Sequence, residues 1–330
     1  MKKTRPIIII SLIILICVVA AVYYIQKPRP IAPITSEKST VQTSIPAAEP
    51  SSQPKADLSF AVLGDVHDST DNFQRAINDL YTINPQMDAL VLNGDTVGQG
   101  LKGQYDSVKK TLSLNKDLLP KTIIKNIGNH EFFDYSINEN SPQQVKTFIN
   151  RYLEFSGEKN VYHDTWVKGY HFISLGTEEC KTDRTGSTTA YISETQQNWL
   201  KEKLSENYQQ GKPIFVFLHQ NLMVTEWGWT GVVQSEQVRK ILSEYPEVIL
   251  FTSHTHVEFY NGSIISNQPF TMVHTGAVAY TLLYEDGVIN MDRKSSYVRG
   301  LYIEVKGNSV AVKGRNLKDK QWIFTKEISK

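Results

Sequence analysis

Cysteine is too scarce in this sequence to build a disulfide framework. Only Cys17 and Cys180 are present, and Cys17 lies within an apolar N-terminal run. Two such cysteines supply neither a thiolate zinc site nor a redox Cys-x-x-Cys pair. The chain must therefore fold without covalent cross-links. We expect Cys180, in a polar stretch, to be an exposed thiol without a role.

An excess of charge of one sign is also absent. The 35 basic and 34 acidic residues leave a formal net charge of +1. Charge therefore gives no indication of a nucleic acid or an acidic surface as a partner. The 330 residues suffice for one large or two average domains with a sizeable core. We find no internal repeat, and no low-complexity stalk of the adhesin type follows Lys55.

Long apolar runs are missing except at the N-terminus. Residues 7–25 are apolar or small, and as a helix they would reach roughly 28 Å, close to the hydrocarbon thickness of a bilayer. We favour a retained membrane anchor over a long signal peptide cleaved after Ala20. Bulky Ile16 argues against a lipoprotein anchor at Cys17. A weak excess of basic residues before the run places the N-terminus in the cytoplasm.

The predicted organisation follows from this segment. Residues 1–6 form a short cytoplasmic N-terminus, residues 7–25 an anchor or uncleaved signal, and residues 26–55 a disordered linker rich in Pro, Ser and Thr. Residues 56–330 form the folded domain. We expect a single-pass protein of the cell membrane with this domain outside the cytoplasm, or a secreted protein if the N-terminal segment is cleaved.

Buried strands in the folded domain end in polar side chains. Strands are predicted at 58–63, 89–92, 122–127, 170–175, 214–218 and 247–252, and helices at 72–83 with a cap at Asp71, at 105–119, and from a cap at Ser193. The polar residues at the strand ends are Asp65, His67, Asp95, Asn129, His130, His219, His254 and His256. Strands that alternate with helices indicate a doubly wound α/β fold, which gathers such ends at one edge.

The side chains at these strand ends are oxygen and imidazole ligands. Five of the chain's eight histidines lie among them. This set suits two divalent transition metal ions, with Asp95 placed to bridge them. His254 and His256 alternate on what we take to be an extended segment, so each would serve a different metal. Mn, Fe, Zn and Co all accept such ligands, and the metal identity stays open.

The motifs resemble those of a known superfamily. In order and spacing, Asp65-x-His67, Gly94-Asp95, Gly128-Asn129-His130-Glu131, His219 and His254-x-His256 are similar to the five blocks of the calcineurin-like metallophosphoesterases. The likeness covers roughly residues 58–276 and implies a four-layer α/β/β/α sandwich of two mixed β-sheets. It also implies a first metal held by Asp65, His67, Asp95 and His256, and a second held by Asp95, Asn129, His219 and His254.

The resemblance implies a reaction as well. A phosphomonoester or phosphodiester would be hydrolysed by in-line attack of a metal-bound hydroxide, and His130 would protonate or stabilise the leaving oxygen. Glu131 either holds the His130 imidazole or is a structural residue behind the site. Trp227 and Trp229 either wall a substrate groove or pack under a loop.

Departures from the superfamily pattern narrow the substrate. Phosphoprotein phosphatases carry Asp and Arg within the stretch that reads Val97-Gly98-Gln99-Gly100 here, so the partner that orients their catalytic His is absent. Gly98 also stands where purple acid phosphatases have a Tyr ligand, and those enzymes lack the histidine of the first block, present here as His67. Ser253 replaces the usual Gly before the His pair. The basic residues near the blocks offer no clear phosphate clamp.

We therefore expect a metal-dependent phosphoric ester hydrolase tethered to the membrane. Its substrate would be a small phosphate ester such as a mononucleotide, a phosphodiester or a cell-envelope phosphate, and no nucleic acid partner is indicated. The alternative is a non-catalytic, membrane-tethered binding module that retains the fold. Lost ligands would support that alternative, and none is lost. The sequence decides neither monoesterase against diesterase nor the oligomeric state.

Overall fold

The computed structural model describes residues 56–180, 188–222, 231–260, 262–266, 269–285 and 288–330. All of them belong to the second of two units of the chain, Pro54–Lys330. The predicted anchor and linker at 7–55, and with them Cys17, lie outside the described residues, as do Trp227 and Trp229. No helix within the described ranges is both long and apolar enough to cross a membrane.

Strands and helices alternate through the first three quarters of the domain, and strands dominate the remainder. The strands are β1 (Leu58–Leu63), β2 (Ala89–Asn93), β3 (Thr122–Asn126), β4 (His163–Val167), β5 (Tyr170–Ser174), β6 (Ile214–Phe217), β7 (Val248–Thr252), β8 (Ile264–Ile265), β9 (Thr271–His274), β10 (Thr281–Glu285), β11 (Val288–Lys294), β12 (Arg299–Lys306), β13 (Ser309–Asn316) and β14 (Gln321–Ser329). The helices are α1 (Thr70–Ile83), α2 (Lys102–Leu114), α3 (Pro142–Ser156), α4 (Glu194–Ser205) and α5 (Ser235–Ser243), with a 3₁₀ turn at His130–Phe132.

The strands form two six-stranded mixed sheets and a separate hairpin. The first sheet has the order β14-β13-β12-β1-β2-β3, in which β1, β2 and β3 are parallel and β12 is antiparallel to β1. The second has the order β4-β5-β6-β7-β9-β8, with β5, β6, β7 and β9 parallel. The hairpin pairs β10 with β11. The carboxyl ends of two sets of parallel strands are thus available to build a site.

Aromatic side chains fill the space between the two sheets. The ring centroid of Phe60 on β1 lies 4.9 Å from those of Phe172 on β5 and Phe215 on β6, and both pairs pack edge to face. The Phe172 and Phe215 rings are 5.2 Å apart and tilted relative to each other. Phe217 and Phe251 stack at 5.2 Å beside them. Each such buried ring contributes about 1.5–3 kcal/mol through the hydrophobic effect. This shared apolar layer fixes the two sheets face to face.

Helices cover both outer faces. Helices α1, α2 and α3 pack on the first sheet in one apolar cluster, and α4 and α5 pack on the second sheet in another. Amphipathic helices on hydrophobic strands bury both apolar faces at once. The resulting layers are helix, sheet, sheet and helix, as predicted.

The helix boundaries differ from prediction in three places. Helix α1 begins at Thr70 after Ser69, so the predicted cap at Asp71 was wrong. The Asp71 carboxylate lies in the first turn, where its negative charge interacts favourably with the helix dipole. Helix α2 spans 102–114, although a longer stretch to 119 was predicted. Helix α3 was missed, despite a capping box in which Ser141 and Gln144 bond reciprocally. The predicted cap at Ser193 is confirmed, since its Oγ accepts from the Gln196 amide.

For the stretch after His256 the sequence predicts short strands and turns, such as a strand at 301–305, and the structure differs from that prediction. Strands β12, β13 and β14 contain 8, 8 and 9 residues. Strand β12 pairs with β1 along five residues, so the last strands of the chain complete the sheet that the first strands begin. The pairing joins segments about 240 residues apart in sequence, which local pattern alone does not reveal.

Candidate metal centre

Loops that follow parallel strands meet at one edge of the two sheets. The Asp65 amide donates to the Gly94 carbonyl at 3.2 Å, and the His67 amide donates to the Asp95 carbonyl at 2.9 Å, which joins the loops after β1 and β2. In the second sheet the Ser253 amide donates to the His219 carbonyl at 2.8 Å. These bonds continue the strand pairing by a few residues and hold the predicted ligands beside one another.

Buried asparagines connect the two sheets beneath these loops. The Asn93 side chain donates to Ser253 Oγ at 2.9 Å, and the Asn126 side chain donates to Asn93 Oδ1 at 3.0 Å. The Asn93 carbonyl lies 2.8 Å from His219 Nδ1. This network was not predicted from the sequence. The available signal was a buried asparagine at the end of each of the neighbouring strands β2 and β3.

Five of the predicted ligands have a left-handed backbone. Their φ values are 53° for Asp65, 48° for His67, 48° for Asp95, 73° for His254 and 56° for His256. This conformation costs a non-glycine residue roughly 1–2 kcal/mol and concentrates at functional sites. We had expected His254 and His256 to lie on an extended segment, and these φ values show that they do not. Turns rather than strand alternation direct their side chains to different neighbours.

Two glycines of the motifs sit where a side chain would strike a ligand. A Cβ on Gly128 would lie 2.2 Å from Asp95 Oδ1, and a Cβ on Gly94 would lie 2.6 Å from His219 Nδ1. Gly94 has in addition a φ of 83°, which favours glycine. The loops can therefore approach the ligands only because these positions lack a side chain.

The ligand side chains form three overlapping groups. The potential ligand atoms within each group lie within 4.8 Å of one another. The groups are Asp65, His67 and His256; His67, Asp95 and His130; and Asp95, His219 and His254. The first and third groups each contain three of the four residues in one of the ligand sets that the superfamily resemblance implies. Asp95 belongs to the second and third groups, and its contact with His67 connects it to the first.

The individual distances support this division. In the first group, His256 Nε2 lies 3.3 Å from Asp65 Oδ1 and 3.2 Å from His67 Nε2. His67 Nε2 also lies 3.6 Å from Asp95 Oδ2, which links the first group to the shared carboxylate.

In the third group, His219 Nε2 lies 3.0 Å from Asp95 Oδ2 and 3.3 Å from His254 Nδ1. A cation between such converging nitrogens and carboxylate oxygens would bond to all of them at once.

The donor atoms fit a pair of divalent cations. Asp65 Oδ1 and Asn129 Oδ1 are buried and lack a hydrogen-bond partner among the described residues. Unsatisfied buried oxygens are costly unless something else binds them. Imidazole, carboxylate and amide oxygen together suit divalent transition metals rather than an alkali or purely oxygen-ligated ion. The residues present therefore match the metals that the resemblance implies.

The charges in the third group are strongly coupled. Burial lowers the pKa of His219, but the carboxylates of Asp95 and Asp65 outweigh it and raise that pKa to about 10. Burial and the nearby His219 lower the pKa of His254 to about 3. Burial alone would raise the pKa of Asp95, yet His219 and His130 hold it well below its usual range. Asp95 therefore stays ionised at neutral pH, as a carboxylate that binds a cation must.

A backbone carbonyl orients His130. Its Nδ1 lies 2.8 Å from the Gly98 carbonyl, which only accepts, so Nδ1 carries the proton. Nε2 then faces the ligand groups, 4.0 Å from Asp95 Oδ2. Gly98 lies in the stretch where phosphoprotein phosphatases carry the Asp that orients their catalytic histidine. The main chain supplies the partner that the sequence lacked.

Glu131 does not hold the His130 imidazole, and that alternative was wrong. Its carboxylate accepts from the backbone amides of Gly128 at 2.8 Å, Thr96 at 2.8 Å and Asp95 at 3.1 Å. Burial and the charge of Asp95 raise the pKa of Glu131 to about 8. The buried carboxyl group therefore ties the loop after β3 to the loop after β2, and its role is structural.

The remaining histidines lie behind or away from the site. His274 Nε2 contacts the Val257 carbonyl at 3.1 Å and supports the loop that carries His254 and His256. His163 and His171 belong to β4 and β5 in the second sheet.

Cys180 corrects another expectation, because it is buried rather than exposed. Burial raises the pKa of its thiol to about 12, so it stays protonated at neutral pH.

The comparison with family models agrees with this geometry. Residues 58–258 match the model described as calcineurin-like phosphoesterase. That range covers more than half of the chain and contains every predicted ligand. The chain belongs to the calcineurin-like phosphoesterase family. No curated protein sequence is significantly similar to it.

Solved structures share the fold of this calcineurin-like phosphoesterase. A dimetal phosphatase from Danio rerio aligns with a TM-score of 0.57 at 14% identity, over 83% of this chain and 99% of that one. A purple acid phosphatase from yellow lupin (Lupinus luteus) seeds gives 0.58 at 13% identity, over 82% of this chain and 53% of that one. GAP50, the anchor in the inner membrane complex of Plasmodium, gives 0.58 at 15% identity, over 82% and 88%. Identities this low establish a common fold alone.

Proposed function

We propose that this calcineurin-like phosphoesterase is a two-metal enzyme that hydrolyses a small phosphomonoester or phosphodiester. The observation that carries the proposal is the position of Asp95 Oδ2, which lies 3.6 Å from His67 Nε2 and 3.0 Å from His219 Nε2 and so links the first ligand group to the third at the common edge of two sheets. By the resemblance, Asp65, His67, Asp95 and His256 would hold one ion and Asp95, Asn129, His219 and His254 the other. Two divalent cations held by these residues would activate water and offset charge on phosphoryl oxygens.

The chain's own residues would position the ester and manage a proton. His130 is fixed by the Gly98 carbonyl, so its Nε2 keeps one orientation toward the ligand groups. Burial lowers the pKa of His130 and outweighs the opposing charge of Asp95. Because Nδ1–H is directed at the Gly98 carbonyl, Nε2 would first take up a proton from solvent, and the resulting imidazolium would deliver that proton from Nε2 to the leaving oxygen. The Glu131 carboxylate would hold the surrounding loops still during that transfer.

The rival function is that of a binding module which keeps the fold without catalysis. Such a module has no need of a complete ligand set. Here all seven predicted ligands belong to loops at one sheet edge, and six of them fall into ligand groups of carboxylates and imidazoles. The retained constellation, with His130 beside it, favours the enzyme.

We also propose that the enzyme is held at the cell membrane with its catalytic domain outside the cytoplasm. The support is the apolar run at 7–25 followed by a linker rich in Pro, Ser and Thr at 26–55. Protease added to intact cells should then release the domain. Degradation only after the cells are lysed would contradict this orientation.

The reaction is tested with the purified full chain, stripped of metal and reloaded with Mn²⁺. Release of p-nitrophenolate is followed from p-nitrophenyl phosphate and from bis-p-nitrophenyl phosphate. We expect turnover that a chelator abolishes, and the preferred compound separates monoesterase from diesterase. Two bound metals with no hydrolysis of either ester, under any divalent ion, would favour the binding module.

A further inference from the structure

The β10–β11 hairpin is hydrogen-bonded to the loop that carries His254 and His256, although the hairpin lies beyond the residues that match the family model. The Leu282 amide donates to the His256 carbonyl at 2.8 Å, and the Glu258 amide donates to the Leu282 carbonyl at 2.9 Å. Just before the hairpin, the Ala279 amide donates to the Asp65 carbonyl at 2.9 Å. Backbone bonds to two separate motif loops therefore fix the base of the hairpin beside the ligands.

Tyr280, at the start of this hairpin, contacts a predicted ligand in two ways. Its ring stacks on the His256 imidazole with centroids 4.0 Å apart and planes 18° apart. Its carbonyl oxygen lies 3.1 Å from His256 Nδ1, which leaves His256 Nε2 directed toward Asp65 and His67. Tyr280 thus forms part of the wall of the metal centre.

Arg293, on β11, extends this wall with a positive charge. Its guanidinium carbon lies 4.7 Å from the centroid of the Tyr280 ring. The residue is exposed, and no ion pair to it is found among the described residues. Its neighbour Lys294 is different, because it lies 3.6 Å from a carboxylate oxygen of Asp292.

Tyr135, which is 69% exposed, also lies near the site, because its ring is 6.1 Å from the Phe133 ring and the Phe133 ring is 4.4 Å from that of His130. Tyr135, Tyr280 and Arg293 come from distant parts of the sequence, which is why no phosphate clamp was visible near the motif blocks. Together they form a cationic, aromatic rim beside the ligands.

We propose that Arg293 binds a second anionic group of the substrate, so that the enzyme prefers phosphate esters that carry another phosphate. The guanidinium lies over the Tyr280 ring, which itself stacks on His256, so Arg293 stands beside the predicted ligands and is not one of them. A planar guanidinium donates hydrogen bonds to two phosphate oxygens at once in a fixed fork, which an ammonium does not. This inference rests on the proposed function, since it assumes that a phosphate ester is cleaved at the metal centre.

The kinetic test compares two esters that differ only in the second anion, hexyl phosphate and 1,6-hexanediol bisphosphate. With the metal-loaded full chain, we expect KM for the bisphosphate to be about fivefold lower, as for a partly exposed charge pair. Arg293→Gln should abolish that difference with little change in kcat, and leave hexyl phosphate unaffected. Arg293→Lys should keep part of the preference, because it retains the charge without the planar fork.

Lys294→Gln is the matched control. It removes the same charge from the adjacent residue of the same strand, and both esters should behave as with the unmodified chain. An equal loss on both esters in Arg293→Gln would show that Arg293 only supports the hairpin. The same loss of preference in Lys294→Gln would show a general surface charge effect. Either result overturns the proposal.

A binding measurement separates this inference from the proposed function. Calorimetry with hexane-1,6-bisphosphonate and hexylphosphonate needs no hydrolysis, and we expect the bisphosphonate to bind about fivefold more tightly unless Arg293 is replaced by Gln. If that preference is found in a chain that cleaves no ester, the anion site stands and the proposed function fails. If esters are cleaved but both phosphonates bind equally, or neither binds, the anion site is overturned.

Discussion

Three histidines of the metal centre are oriented by the same kind of contact. The Nδ1 atoms of His219, His130 and His256 each face a backbone carbonyl, at 2.8, 2.8 and 3.1 Å. A carbonyl accepts only, so each Nδ1 is protonated and each Nε2 is left for a ligand or a substrate. His254 is the exception, because its Nδ1 faces the centre at 3.3 Å from His219 Nε2. Contacts behind each ring therefore decide which nitrogen reaches the cations.

Replacement of His254 tests the second ligand set directly. In His254→Ala, one nitrogen of the Asp95, His219 and His254 group is lost, while the first group stays intact. We expect about one tightly bound metal per chain instead of two, as metal analysis after extensive dialysis would show. A residual second metal in this variant would refute the ligand assignment.

His163→Ala is the control for that experiment. His163 lies on β4 and contacts the Lys125 carbonyl at 3.1 Å, away from the ligand groups. Its loss removes a histidine without removing a predicted ligand, so two metals per chain should remain.

Replacement of His130 tests the proposed proton donor. In His130→Ala, turnover should fall by about 10²–10⁴-fold for an alkyl phosphate, whose leaving oxygen needs a proton. The loss for p-nitrophenyl phosphate should be much smaller, because p-nitrophenolate departs without protonation. Steady-state kcat for the two esters gives the comparison. Similar losses for both would mean that His130 acts on phosphate binding or on structure.

Among the elements, α1 and β13 are joined by a buried ion pair. Asp79 on α1 accepts two hydrogen bonds from the Arg315 guanidinium, at 2.7 and 2.8 Å, and both side chains are buried. This bidentate contact connects a helix near the start of the domain to a strand near its end. It lies on the outer side of the first sheet, away from the metal centre.

Removal of one partner should therefore destabilise the fold without touching the site. Asp79→Ala leaves the buried Arg315 charge uncompensated, and we expect a loss of about 3–5 kcal/mol in the free energy of unfolding. Denaturant unfolding followed by circular dichroism measures it. Asp106→Ala is the control, since its pair with Lys102 is solvent-exposed. That variant should change the free energy of unfolding by less than about 1 kcal/mol.

For the whole molecule, the match to the family model ends before the fold does. The match stops at residue 258, whereas β9 lies inside the second sheet and β12 pairs with β1 in the first. Loss of both strands would expose the cores of both sheets. We expect a fragment of residues 54–258 to show no cooperative thermal transition, and a sharp transition in that fragment would contradict this account.

A shorter truncation provides the comparison. A fragment of residues 54–320 lacks only β14, an edge strand whose side chains are mostly exposed apart from Ile328. Removal of this strand should lower the free energy of unfolding by about 2–4 kcal/mol, which is close to the hydrophobic stabilisation from one or two buried side chains. The transition should stay cooperative, which thermal unfolding would show.

The alternation of strands and helices in the first half of the domain could be predicted because it is local. Apolar runs such as Leu58–Leu63 and helix caps such as Ser193 act over a few residues. The motif residues, including Asp65 and Asn129, were found for the same reason, since each follows a strand directly. The pairing of β12 with β1 depends on residues far apart in sequence and had no local signal.

The sequence by itself determined the types of metal ligand, their order along the chain and the family to which the domain belongs. Only the tertiary structure decided that the Gly98 carbonyl orients His130, that Glu131 binds three backbone amides, and that Arg293 stands beside Tyr280 at the rim. The reason is physical. A side chain's chemistry is intrinsic to its residue type, whereas its hydrogen-bond partners and charge environment arise only when distant segments pack together.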